Sequence, residues 1–194
     1  KNNKKEFTLI DDQKLVYEKA LELARKSTEL NKNVFIVEGG PGTGKSVVAI
    51  NLLSELTNKG DNVRYVTKNS APRKVFEAKL TGVFTTSRIR NLFSSSDIFF
   101  NTEINSFNTL IVDESQRLNL KSGRFRKGEN QIKEIINASK FSIFFIDDNQ
   151  RVTTSDIGEK GYIKEIASEL GVNIYEAKLP SQFRCNGSDG YLAW

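Results

Sequence analysis

Histidine is absent from this 194-residue chain, methionine is absent as well, and cysteine occurs once, at Cys185. Without an imidazole there is no histidine general base and no histidine-ligated metal. A single thiol forms no intramolecular disulfide and builds no thiolate zinc site. No apolar run approaches the ~20 residues that span a bilayer, and the Lys-rich start leads into no signal-type apolar core. Together these absences lead to the expectation of a cytoplasmic location and no membrane partner. The lack of Met even at position 1, with the uncapped apolar ending Gly190-Tyr191-Leu192-Ala193-Trp194, leads to the further expectation of an N-terminal piece of a longer protein.

What is present has the balance of a soluble globular chain, 38% apolar and 27% charged. The length suits one domain, or one domain and the edge of another. The net charge of +5 is unevenly spread: Arg117, Lys121, Arg124, Arg126 and Lys127 fall in a stretch without an acid. Such a loop could contact a nucleic-acid backbone or simply be solvated, and composition leaves both readings open.

The most informative segment is Gly39-Gly40-Pro41-Gly42-Thr43-Gly44-Lys45-Ser46. Its four fixed positions arise by chance in roughly one chain in a hundred of this length, and its flanks lower that rate further. The apolar Val34-Phe35-Ile36-Val37 precedes it and Val47-Val48-Ala49-Ile50 follows, a strand, loop and helix context. Gly39, Gly42 and Gly44 are expected to take positive φ and bring several N–H groups to one anion. The positive end of the following helix points at the same place. Lys45 is then placed for β- and γ-phosphates, and the Ser46 hydroxyl for a phosphate-bound Mg²⁺.

Hydrophobic periodicity predicts a helix over 12–25 and strands over 62–67, 109–112, 142–146 and 172–175. Further helices are expected from the phosphate loop to about 60, from 71–72, over 129–139 and over 163–170. The stretch 82–106 reads as irregular, with Ser94-Ser95-Ser96 its most loop-like part. Alternating strands and helices imply an α/β fold with a mainly parallel sheet, whose ligands sit at the carboxyl ends of the strands.

Two strands end in acids. Leu110-Ile111-Val112 runs into Asp113 and Glu114. Asp113 can supply a hard oxygen to Mg²⁺, and Glu114 can orient or deprotonate an attacking water. The plain alternative is a solvated strand end. Phe144-Phe145-Ile146 runs into Asp147-Asp148-Asn149-Gln150. Gln150 suits a γ-phosphate sensor, while Asp147 and Asp148 could instead cap the next segment.

In this order the segments resemble a superfamily 1 helicase motor. Residues 39–46 resemble motif I, Asp113-Glu114-Ser115-Gln116 the DExQ form of motif II, and 147–150 motif III. Val66-Thr67-Lys68-Asn69-Ser70 stands where motif Ia would contact single-stranded nucleic acid, and Gln182-Phe183-Arg184 resembles motif IV. The wording of Phe144 to Val152, then Asp156-Ile157-Gly158, then Gln182 to Trp194 is more narrowly similar to the Schlafen group 3-like DNA/RNA helicase domain family. The resemblance runs from about Gln13 to Trp194.

That resemblance implies a RecA-like P-loop NTPase domain over 1–180, with three αβα layers, and the start of a truncated second RecA-like domain over 181–194. It implies ATP and Mg²⁺ as cofactors. Nucleotide contacts would come from Gln13 (reading adenine), Gly40, Pro41, Gly42, Thr43, Gly44, Lys45, Ser46 and Val47. Ser46 and Asp113 would hold the metal. Lys45, Glu114, Gln150 and Arg184 would carry hydrolysis, with Arg184 reaching in from the second domain. Lys68 and Asn69 would meet single-stranded DNA or RNA. A nucleotide-dependent switch without unwinding activity is the alternative.

Overall fold

The computed structural model describes residues 9–68, 91–121, 128–147 and 158–180. Six parallel strands form one sheet in the order β3-β2-β4-β5-β1-β6. The strands are β1 (Asn33–Gly39), β2 (Val63–Val66), β3 (Phe93–Ser94), β4 (Phe107–Val112), β5 (Ser139–Ile146) and β6 (Asn173–Leu179). The α-helices that lie wholly within the described residues are α1 (Asp11–Lys26), α2 (Lys45–Asn58), α3 (Gln131–Ala138) and α4 (Lys160–Glu169).

Side chains alternate across a strand, and here the alternation sorts the core into two halves. Phe35, Val37, Tyr65, Ile111, Ile143 and Phe145 meet α1 and α2 on one face. Val34, Ile36, Val66, Leu110, Val112, Phe144 and Ile146 meet α3 and α4 on the other. Helices on both faces explain why β1 and β5 read as continuous apolar runs. The result is a three-layer αβα sandwich. Local chemistry sets the helix ends: the Asn130 side chain accepts from the Ile132 and Lys133 amides at the start of α3, closing orphan donors of the first turn.

The irregular reading of 82–106 is corrected for its described part, residues 91 onward. Phe93–Ser94 is the short edge strand β3, and Ser96–Asn101 forms a 3-10 turn. Ser94 and Ser96 are buried rather than loop-like. Two tertiary contacts account for this. The Phe93 ring lies 5.5 Å from that of Tyr65, and Phe99 meets Phe107 edge-on at 5.9 Å. A two-residue strand is too short to show a period, so nothing local competes with the turn preference of serine. Strand β6 continues to Leu179, beyond the expected end at 175, because it pairs with β1 as far as Gly39. The helix expected from 71–72 lies outside the described residues.

Candidate functional site

Strand β4 lies beside β5, and β5 beside β1. Their carboxyl ends therefore adjoin the loop that enters α2. Asp113 follows Ile111 by two residues and Asp147 follows Phe145 by two. Ile111 and Phe145 both belong to the α2 face. Period-two alternation thus aims both carboxylates at the N-terminus of α2, where Lys45 and Ser46 begin the helix.

The loop is built as an anion cradle. Gly42 and Gly44 have φ of 73° and 84°, a conformation that glycine reaches without steric penalty. The first turn of α2 contains no acid of its own, so the carboxylates that meet its positive end come from other strands. The expectation for Gly39 is corrected: it is not among the positive-φ glycines. Its requirement is space, since a Cβ there would sit 2.6 Å from Thr43 Oγ1 and 3.2 Å from Leu179 Cβ. Thr43 Oγ1 donates to the Gly40 carbonyl at 2.9 Å. Pro41 and Gly42 form the exposed tip, while Val47 donates its amide back to Gly44 O at 2.9 Å.

Lys45 is 9% exposed. Its ammonium donates to the carbonyls of Gly39 at 2.5 Å and Gly40 at 2.8 Å, and stands 4.0 Å from Asp147 Oδ2. A buried ammonium persists only when paired and hydrogen-bonded, and this one is both.

Ser46 Oγ donates to Asp113 Oδ2 at 2.8 Å. The Tyr65 hydroxyl donates to the same oxygen, and the Glu114 amide donates to Asp113 Oδ1 at 3.0 Å. Asp113 is 3% exposed, so the alternative of a solvated strand end does not hold for it. Tyr65 is fully buried, and burial, with Asp113 beside it, pushes its phenol well above the ordinary value. It remains a donor at neutral pH. Sequence reasoning missed Tyr65, which it read only as a strand residue. The available signal was a hydroxyl near the end of a short strand, on the same face as Val63.

Glu114 takes a left-handed conformation, φ 55° and ψ 42°, uncommon for a residue with a Cβ. Its carboxylate lies 3.2 Å from Arg117 Nε and 3.4 Å from Gln116 Nε2. The acidic turn is stitched to β5 twice. Ser115 Oγ donates to Phe145 O at 2.5 Å, and Gln116 Oε1 accepts the Asp147 amide at 3.2 Å. Gly158 packs so tightly on this turn that a Cβ would overlap the Ser115 carbonyl.

Gln13 reaches the loop from α1. It is 6% exposed, its Nε2 donates to Thr43 O at 3.1 Å, and its Oε1 accepts the Ile10 amide at 3.4 Å. Lys68 follows β2 and is exposed. Asn69, Asp148, Gln150, Arg184 and the basic residues Arg124, Arg126 and Lys127 lie outside the described residues.

The structure thus brings together the loop, Lys45, Ser46, Asp113, Glu114, Asp147 and Gln13. Ser46 and Asp113 offer hard oxygens suited to Mg²⁺. Among the described residues no group of three or more His, Cys, Asp or Glu forms a self-sufficient metal site. Nor is any helix among them long and apolar enough to cross a membrane.

The Pif1 helicase from Candida albicans superposes with a TM-score of 0.50 at 15% identity, over 96% of this chain and 42% of that one. The Hef helicase domain of Pyrococcus furiosus gives 0.48 at 12% identity, over 86% and 37%. AMPPCP-bound DnaA from Aquifex aeolicus gives 0.45 at 18% identity, over 88% and 48%. The chain spans about half the length of the DnaA structure and less of the two helicases. At such identities the likeness to Pif1 concerns the fold, which is the RecA-like P-loop NTPase architecture. No curated protein sequence matches the chain. The family described as Schlafen group 3, DNA/RNA helicase domain, matches residues 32–194, and the chain belongs to that family.

Proposed function

We propose that this is the ATP-binding and hydrolysing motor domain of a superfamily 1-type DNA or RNA helicase, acting in the cytoplasm. In this reading residues 1–180 form the first RecA-like domain and 181–194 open a second. The observation that carries it is the convergence of Lys45, Ser46, Asp113 and Asp147 at the carboxyl ends of three adjacent strands.

The loop from Gly40 to Val47 and the ammonium of Lys45 hold the β- and γ-phosphates. The Lys45 ammonium already meets two carbonyls of that loop, so a short swing exchanges them for phosphate oxygens. Ser46 and Asp113 hold Mg²⁺, which when bound neutralises charge developing on the phosphates. Glu114, next to Asp113 and 3.2 Å from Arg117, orients the attacking water and accepts its proton. Gln13 keeps one amide N–H on Thr43 O, and its second N–H serves adenine. Gln150 couples the γ-phosphate to motion, and Arg184 completes the site when two domains close. Lys68, which follows β2, and Asn69 contact single-stranded DNA or RNA.

Titration with a fluorescent ATP analogue and Mg²⁺ tests the reading. Loss of the Lys45 charge-assisted bonds in Lys45→Ala should weaken affinity by roughly 10–100-fold. Equal affinity in folded wild type and variant would remove the site. ATP turnover stimulated by single-stranded DNA or RNA supports the motor; turnover that ignores both polymers supports a nucleotide switch instead.

A further inference from the structure

We infer that Tyr65 is a positioning residue for metal binding, fixing the orientation of the Asp113 carboxylate through its buried hydroxyl. The inference rests on the assignment of Asp113 and Ser46 to Mg²⁺, and it extends that assignment to a residue on a different strand.

Three observations lead to it. Strand β2 pairs with β4 so that Tyr65 stands opposite Ile111 and Val66 opposite Val112. The Asp113 amide continues that ladder to Val66 O at 3.0 Å, so the backbone of Asp113 is tied to β2 before its side chain is considered. On the α2 face the Tyr65 hydroxyl then donates to Oδ2, the oxygen that also accepts Ser46 Oγ. With the Glu114 amide on Oδ1, both oxygens of the carboxylate are held, and the group has one orientation.

The hydroxyl is itself fixed. Tyr65 is fully buried, and its ring rests on Phe93 at 5.5 Å with a 51° tilt. A hydroxyl can donate only one proton, and Ser46 gives its own to Asp113. The Tyr65 bond secures the partner that makes Ser46 do this. Outer donors that orient a ligating carboxylate typically matter by 10–100-fold in metal affinity. A metal held partly by nucleotide phosphates should fall near the lower bound.

The test is the Mg²⁺ concentration at which binding of a fluorescent ATP analogue is half enhanced, in wild type, Tyr65→Phe and Phe93→Leu. Affinity in EDTA and a thermal melt report on the fold and on the phosphate loop alone. Tyr65→Phe should raise the Mg²⁺ midpoint about tenfold while leaving the EDTA affinity at the wild-type value. Phe93→Leu keeps the hydroxyl but loosens its ring, and should move the midpoint the same way by less. A folded Tyr65→Phe protein with the wild-type midpoint overturns the inference. Should that variant not fold, an unmoved midpoint in folded Phe93→Leu overturns it equally. Wild-type binding that ignores Mg²⁺ would instead defeat the assignment of Ser46 and Asp113 on which the inference rests.

Discussion

Gly44 and Gln13 are 31 positions apart in sequence yet depend on each other, and the dependence has a calculable size. Gly44 has φ of 84° and ψ of 20°. Alanine held there carries a left-handed penalty of ~1–2 kcal/mol. Its Cβ would also overlap the Gln13 amide. That amide is the far end of a flexible side chain and can swing aside, but only by giving up its bond to Thr43 O. Thr43 is buried, so the abandoned carbonyl adds ~1–2 kcal/mol. Gly44→Ala should therefore cost about 2–4 kcal/mol, a fall in Tm of about 5–15 °C for a domain of this size. In a Gln13→Ala background the overlap and the bond are both already gone, so the same substitution should cost only the backbone part. Chemical denaturation of the four proteins closes the cycle, with an expected coupling of ~1–2 kcal/mol. Additivity within ~0.5 kcal/mol would mean that Gln13 does not clamp the loop.

Gly158→Ala meets backbone, the Ser115 carbonyl, which cannot swing away; a loss of ~1–3 kcal/mol is expected in a denaturant melt, and a neutral result would refute the close approach. Glu114→Gln should keep nucleotide affinity while turnover falls by at least ~10²-fold; unchanged turnover removes Glu114 from its role. The Lys160 and Lys164 ammonium groups, 2.7 and 2.5 Å from Glu176, hold its carboxyl below the ordinary value, the Lys160 bond being the larger cause. A lowered folded-state pKa adds stability above the ordinary glutamate value of ~4.3, lost as pH falls through the lowered one. The Tm gap between wild type and Glu176→Gln, small because the pair is exposed, should therefore close with acid and also with 1 M salt, on the order of three times the Debye screening at 0.1 M.

The phosphate loop was legible because its chemistry is local: glycines, Lys45 and Ser46 lie within one turn of chain between a strand and a helix. The strands ending at Val112 and Ile146 were legible because burial on both faces leaves an unbroken apolar run. Contacts that join distant residues had no such signature. Tyr65 and Asp113 are 48 residues apart, and Gln13 and Thr43 are 30. Strand order makes the first pair neighbours, and the packing of α1 on α2 the second. Gly39 was read for the wrong property, because a glycine needed for close packing and one needed for positive φ look alike in sequence. The short β3 failed for a related reason: its one serine, and the two that follow, carry turn propensity, and the Tyr65–Phe93 contact that overrides it is tertiary.

Local rules hold through most of the fold, and several departures from them meet at the phosphate loop. A residue with a Cβ sits in the left-handed region at Glu114, an ammonium and two carboxylates are buried at Lys45, Asp113 and Asp147, and two glycines take positive φ within three residues. Left-handed strain alone costs on the order of 1–3 kcal/mol at such a position. A chain selected only for stability would have little use for a buried ammonium held by two carbonyls. Each departure becomes intelligible if the site is complementary to a multiply charged anion with its cation: the strained turn presents Glu114 beside Asp113, and the buried charges are held apart from water until exchanged for phosphate and metal. Among the described residues the buried charges are confined to the carboxyl ends of β1, β4 and β5, where a doubly wound fold keeps its ligand.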